Sequence, residues 1–212
     1  MTANVPPHVP AHMHEAPVLE GGGIRLEPMQ SHHADGLADA CADGRLWELW
    51  YTGVPHPDAM AAHVEGCLQR RARGQQLPYV VVGRDDGRVL GQTSYCNIDA
   101  GNRRVEIGYT WYAARAQRTS TNTATKALML AHAFEAWRCI AVEFRTHWFN
   151  QRSREAIARL GAKQDGVLRN HQRLADGSYR DTVVFSIIES EWPAVKRHLA
   201  ARLARHAAMG GR

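Results

Sequence analysis

Apolar positions change period several times along this chain, and each change marks a new element. Ile24-Arg25-Leu26-Glu27-Pro28 alternates and closes on a proline that cannot donate to a ladder, so order is expected to begin there as a short strand. Residues 1–23, rich in Pro, His and Gly without periodicity, read as a flexible N-terminal tail. Helices are predicted over residues 31–43, with Ser31 as cap, and 58–73, with Asp58 as cap and Gly74 as terminator. The run Tyr79-Val80-Val81-Val82, the turn Asp85-Asp86-Gly87 and residues 89–97 predict two antiparallel strands. Beyond Ala100-Gly101-Asn102, the residues Val105, Ile107, Tyr109 and Trp111 alternate with Glu106, Gly108, Thr110 and Tyr112. A third antiparallel strand follows, with Glu106 on the face opposite Ile107.

Spacing turns helical after Asn122, where Ala124, Ala127, Leu128, Ala131 and Phe134 share a stripe that should pack on the sheet. Period two then returns: Ile140, Val142, Phe144 and Trp148 oppose Glu143, Arg145 and His147. Strand, helix and strand together predict a parallel crossover. Asn150 caps a short helix that Gly161 ends; residues 163–173 and 182–188 read as strands joined through Asp176-Gly177, and a last helix starts near Glu191-Trp192-Pro193. The predicted class is α/β, a mixed and mostly antiparallel central sheet flanked by helices, in one domain spanning residues 24–212.

A length of 212 residues suffices for one core, and no apolar run approaches the roughly 20 residues that cross a bilayer. A soluble protein without a membrane partner is expected, and the lack of a signal-like N-terminus makes a cytoplasmic location the expectation. Cys41, Cys67, Cys96 and Cys139 stand too far apart for a zinc site or a disulfide framework, and reduced, buried thiols are expected. The net charge of +5 gathers in the last helix around Lys196, Arg197, Arg202 and Arg205, which fits a solvated face better than a nucleic-acid surface. His8, His12 and His14 fall short of a dedicated metal site, so no metal is expected.

Chemistry concentrates between Tyr109 and Asn150. There the polar loop Ala116-Gln117-Arg118-Thr119-Ser120-Thr121-Asn122-Thr123-Ala124-Thr125-Lys126 leads from a strand into a helix. The first N–H groups of a helix have no partners within it, and the positive end of its dipole faces the same space, so phosphates are the natural ligand. The other explanation is a plain set of N-caps.

Three segments, Glu106-Ile107-Gly108-Tyr109-Thr110-Trp111, residues 119–130, and Asn150-Gln151-Arg152-Ser153 through Leu160-Gly161-Ala162, stand in an order that resembles the GNAT superfamily of acyl-CoA-dependent N-acetyltransferases. The resemblance covers residues 24–188 and is nearest the branch that includes the ribosomal-protein N-terminal acetyltransferases. It implies acetyl-CoA as cosubstrate and the family loop Gln/Arg-x-x-Gly-x-Gly/Ala at Thr119, Ser120, Thr121, Asn122, Thr123 and Ala124, with Gln117 and Arg118 just upstream. Thr119 and Asn122 depart from that pattern. Asn tolerates positive φ, so the backbone is expected to curl there as a glycine would allow.

The resemblance further implies Glu106 as the base, the backbone of Tyr109, Thr110 and Trp111 along the pantetheine arm, Asn150 on a pantetheine amide, and Ser153 steering a proton to the departing sulfur. Local alternatives stand beside these roles: a salt-bridged surface Glu106, and Asn150 with Ser153 as a helix cap. His147 is a second candidate base. The acceptor would be a primary amine, either a small molecule or a protein N-terminus, near Leu46-Trp47-Glu48-Leu49-Trp50-Tyr51 and residues 169–179. The aromatic cluster there is equally readable as core or as a homodimer contact. Two functional classes remain: an N-acetyltransferase working through a ternary complex, and a non-catalytic acyl-CoA-binding or sensing module of the same fold.

Overall fold

The structure, a computed structural model, describes residues 11–210. Eight strands, β1 (Leu19–Gly21), β2 (Ile24–Pro28), β3 (Gln76–Gly83), β4 (Val89–Asp99), β5 (Arg104–Tyr112), β6 (Ala141–His147), β7 (Lys163–Arg173) and β8 (Tyr179–Ile188), form one sheet. Their order is β1-β2-β3-β4-β5-β6-β8-β7, and only the pairing of β5 with β6 is parallel. The helices are α1 (Ala34–Ala42), α2 (Met60–Ala72), α3 (Thr121–Ala131), α4 (Gln151–Ala158) and α5 (Trp192–Gly210). No helix among the described residues is long and apolar enough to cross a membrane.

The apolar run in β3 is explained by its central place. Tyr79 and Val81 enter a core that also holds Met129 and Leu130 of α3 and Leu199 of α5, while Val80 and Val82 enter a second core with Leu37 of α1 and Val64 of α2. A strand covered on both faces has no solvent side to make polar. All four cysteines are free and buried.

Helix α3 packs on the sheet as expected, with Ala124 and Phe134 of the predicted stripe buried in the main core and Ala127, Leu128 and Ala131 packed against it. Lys126 and Met129 meet β4 through Thr93, and the Tyr95 hydroxyl donates to the Met129 carbonyl at 2.6 Å. Ala124 and Leu128 instead meet the β1–β2 turn, where a Cβ on Gly22 would lie 2.8 Å from that of Ala124. The helix is therefore sandwiched, which blurs a one-face pattern. At α2, Gly74 takes φ +69 and its N–H bonds the Arg71 carbonyl, the predicted termination. At α1 the cap is Gln30, not Ser31: a preceding 3-10 turn, Ser31–His33, shifts the start, and the Gln30 N–H donates to His33 Nδ1 at 3.0 Å. The second helix likewise begins with a 3-10 turn, where His56 rather than Asp58 is the cap.

The boundary expected at residue 23 is corrected. Residues 11–14 form a 3-10 turn, β1 pairs with β2, and Met13 is 0% exposed within the main core. Residues 1–10, including His8, lie outside the described residues. Proline and glycine conceal a docking segment here because it contributes one large side chain rather than a period. Met13→Ala should lower unfolding free energy by about 2–5 kcal/mol, read as the midpoint shift in urea denaturation. An unchanged midpoint would show that the segment adds nothing to the fold.

Candidate active site

Strands β5 and β6 pair at three positions only: Arg104 with Ala141, Val105 with Val142, and Glu106 with Glu143. Beyond Glu106 each strand stays paired on its far side, β5 with β4 and β6 with β8, so the two part and leave a split. A bulge in β5 lies just past that point. Between the Gln92–Trp111 and Ser94–Gly108 pairs β4 advances two residues and β5 three, and Tyr109 takes φ +51. Left-handed backbone is unfavourable for a bulky residue, and a bulge bends its strand.

Side chains hold the bulge from both faces of the sheet. On the α2 face, Gln92 donates to the Tyr109 carbonyl at 3.4 Å and shares a 3.0 Å bond with His63. On the α3 face, the Lys126 ammonium donates to Thr110 Oγ1 at 2.6 Å and Thr93 Oγ1 at 3.1 Å. Lys126 is 5% exposed, and its burial lowers its pKa to about 7. Sequence reasoning assigned it no role; its one clue was that it is the sole charged residue in the 121–131 helix.

Glu106 stands at the mouth of the split, 8% exposed. Burial pushes its carboxyl above the ordinary range, partly offset by Asn97, which donates to Oε2 at 2.7 Å, and by Arg145, whose Nε lies 3.4 Å away. Arg145 also pairs with Glu143 at 3.0 Å, and Arg104 holds the other oxygen of Glu143. A buried carboxylate with a raised pKa and a guanidinium partner suits proton transfer. Strand alternation predicted this face; the parallel register, which places Glu143 beside Glu106, is what assembles it.

The loop before α3 differs from expectation in two respects. Its left-handed residue is Arg118, at φ +62, and not Asn122, which lies in the first turn of α3. Ala124 offers no donor: its N–H bonds the Ser120 carbonyl at 2.9 Å, and its Cβ packs under Gly22. The Thr121 N–H goes to Thr119 Oγ1 at 3.2 Å. The N–H groups of Asn122 and Thr123 find no backbone acceptor among the described residues. Gln117 donates to the Tyr112 carbonyl at 2.9 Å, and both it and Arg118 are exposed. Thr110 faces Lys126, and the Trp111 ring is in the α1–α2 core, so only the backbone of Trp111 can face a ligand.

Asn150 caps α4, its Oδ1 accepting from the Ser153 N–H at 3.1 Å, as the local explanation held. His147 is buried, and its Nδ1 accepts from the Phe149 N–H at 3.1 Å. That bond leaves the neutral ring's proton on Nε2, and burial together with Arg180 lowers its pKa. His147 is thus a hydrogen-bond donor and is not built as a base. Trp47 packs against the α1–α2 core, but Trp50 is 60% exposed, its ring edge-on to His147 at 5.1 Å. Among the described residues one group of three possible metal ligands, Glu27, His32 and His33, comes together. Arg25 already holds Glu27, and both ring nitrogens of His33 are engaged by Gln30 and Glu27.

A parallel pair that splits beside a helix start defines an acyltransferase of the kind the resemblance implied. Residues 24–163 match the model of the acetyltransferase (GNAT) domain, and the chain belongs to that family. A GCN5-related N-acetyltransferase from Brucella melitensis is 30% identical, covering 89% of this chain and 86% of that one, with a TM-score of 0.78. RimJ of Mycobacterium smegmatis, solved in complex with CoA-disulfide, is 25% identical over 88% of this chain and 93% of its own, with a TM-score of 0.71. YdaF of Bacillus subtilis (strain 168), named as a candidate ribosomal N-acetyltransferase, is 31% identical over 52% of this chain and 60% of its own length. The chain thus spans somewhat less than two thirds of that curated relative's length.

Lys126 makes a testable contribution to stability. Folded, it releases its proton near pH 7; unfolded, near 10.5. The unfolded chain therefore holds more protons between those values, and stability should rise with pH across that window, with Lys126 contributing no pH dependence below it. The full gain is on the order of 4 kcal/mol. Urea denaturation from pH 6 to 10 should show this rise in the wild type relative to Lys126→Met. Parallel curves would mean the ammonium is not buried as described.

Proposed function

We propose that the protein transfers the acetyl group of acetyl-CoA to a primary amine, either a protein N-terminus or a small-molecule amine, by direct attack while both are bound. The observation that carries this reading is the split after Glu106, with a buried carboxylate at its mouth and the start of α3 beside it. Acetyl-CoA would supply a thioester carbonyl. The residues present fit it: the Asn122 and Thr123 N–H groups, the hydroxyls of Ser120, Thr121 and Thr123, and the exposed Arg118 would hold its phosphates. The backbone at Tyr109, Thr110 and Trp111 would align the arm, with Asn150 at its amide.

Glu106 takes a proton from the acceptor ammonium, leaving a neutral nitrogen to attack. The N–C bond forms and the C–S bond breaks, and the proton that the nitrogen sheds on becoming an amide passes through the Ser153 hydroxyl to the departing sulfur. His147 is left out of the proton transfer because its Nδ1 lone pair is already engaged. The name of YdaF, which refers to the ribosome, favours a protein N-terminus as acceptor.

Release of CoA from acetyl-CoA over a panel of N-terminal peptides and amines tests the reading. Glu106→Gln should lower kcat by roughly 10²–10⁴-fold with little change in the KM for acetyl-CoA. Burial raises the Glu106 pKa, so wild-type activity should fall as pH drops through that raised value, and this acid limb should vanish in the variant. Thermal stabilisation by acetyl-CoA with no turnover on any acceptor would instead support the acyl-CoA-binding module.

A further inference from the structure

The Glu106 face of the sheet carries two donors that the acetyl-transfer reading does not use. Arg180 lies on β8 two residues before Thr182, which pairs with His147, so period two puts Arg180, Thr182 and His147 on one face. The Arg180 Nε donates to Thr182 Oγ1 at 3.1 Å, which folds its side chain back toward His147. The guanidinium is partly buried and lies within electrostatic reach of Glu106, Tyr109 and His147. Among the described residues it makes no ion pair, whereas its neighbours do: Arg145 pairs with Glu143 and Glu106, Arg104 with Glu143, and Arg169 with Asp181. Three guanidinium groups, Arg104, Arg145 and Arg180, thus face two carboxylates, Glu106 and Glu143, and Arg180 is the one left over.

The second donor is His147. It is 3% exposed, its Nε2 is buried, and that Nε2 has no partner among the described residues. With Nδ1 accepting from Phe149, Nε2 carries the proton. A buried donor left unpaired is costly, and a guanidinium part-way out of water without a counter-charge adds to that cost. The rings of Trp50 and Phe149 stand over the imidazole at 5.1 and 5.7 Å, and both rings are mostly exposed. Such a cover can move aside without disturbing the core.

We propose that Arg180 and the His147 Nε2–H together bind a carboxylate carried by the acceptor, close enough to its amine for Glu106 to reach that amine. The inference deepens the acetyl-transfer reading and rests on it for the position of the amine. A carboxylate, rather than a neutral carbonyl, balances the surplus guanidinium and accepts from both donors at once. Two acceptors present this chemistry: a free amino acid through its α-carboxylate, and a peptide N-terminus with aspartate or glutamate in second place.

Calorimetric binding separates this proposal from the acetyl-transfer reading, because it needs no turnover. With CoA present, the probes are the peptide amide Ser-Asp-Gly and its Ser-Asn-Gly counterpart, then alanine and alaninamide. In at least one pair the carboxylate member should bind roughly 10- to 100-fold tighter, and the pair that discriminates identifies the source. Arg180→Gln should abolish the difference, Arg180→Lys should keep part of it, and His147→Gln should reduce it. Equal affinity within both pairs, or binding by none of the four, overturns the proposal. CoA release measured with the same compounds reads the acetyl-transfer reaction separately: discrimination in binding without release on any amine would sink that reading and leave the carboxylate site standing.

Discussion

One extra residue in β5 governs the geometry of the whole site. Tyr109 is held in a left-handed conformation at a bulge, and the strand it bends leaves its parallel neighbour after three pairs. A bulky residue in that region costs of order 1–3 kcal/mol and persists only where its surroundings over-determine it. Here they do so from two sides: Gln92, itself bonded to His63, holds the bulge's carbonyl from the α2 face, and Lys126 holds Thr110 from the α3 face. Gly108 belongs to the same device, since a Cβ there would come within 3.1 Å of Glu106 Oε1 and 3.2 Å of Cys96 Sγ.

The two faces that the split separates carry different chemistry. On the α3 side lie a helix start with unshared N–H groups and an exposed arginine, suited to a polyanion. On the α1–α2 side lie Glu106, Arg145, Arg180 and His147 beneath an aromatic cover, suited to a small polar group. A sheet parted at one point lets reactants held on opposite faces meet, and the buried charges beside that opening are worth more than they would be in water. The burial that raises the Glu106 pKa also leaves the His147 Nε2–H without a partner, so the site holds its polarity at a cost in stability.

Much of this was legible in the sequence. Alternation in residues 104–112 and 140–148 put Glu106 and His147 on polar faces, and Asn150 and Gly161 bracketed α4 as written. The bulge was not legible, because an alternating strand gives no sign that one residue is surplus; only the register with β4 reveals it. Asn122 was expected to curl in place of glycine, but Ser120 begins the helix early enough that Arg118 takes the left-handed turn instead. Lys126, Arg145 and Arg180 were missed because a charged residue in a sequence reads as solvated until tertiary packing shows what encloses it. Met13 was missed for the opposite reason, a single apolar anchor in a stretch whose composition looks disordered.

The claim that the split after Glu106 is the acyl-transfer channel is tested most directly by a crystal structure of the protein with CoA. The account predicts the sulfur between β5 and β6 just past the Glu106–Glu143 pair, the arm along the Tyr109–Trp111 backbone, and the pyrophosphate on the N–H groups of Asn122 and Thr123. CoA bound away from the split, or strands β5 and β6 closed together beyond Glu106 in the complex, would contradict it.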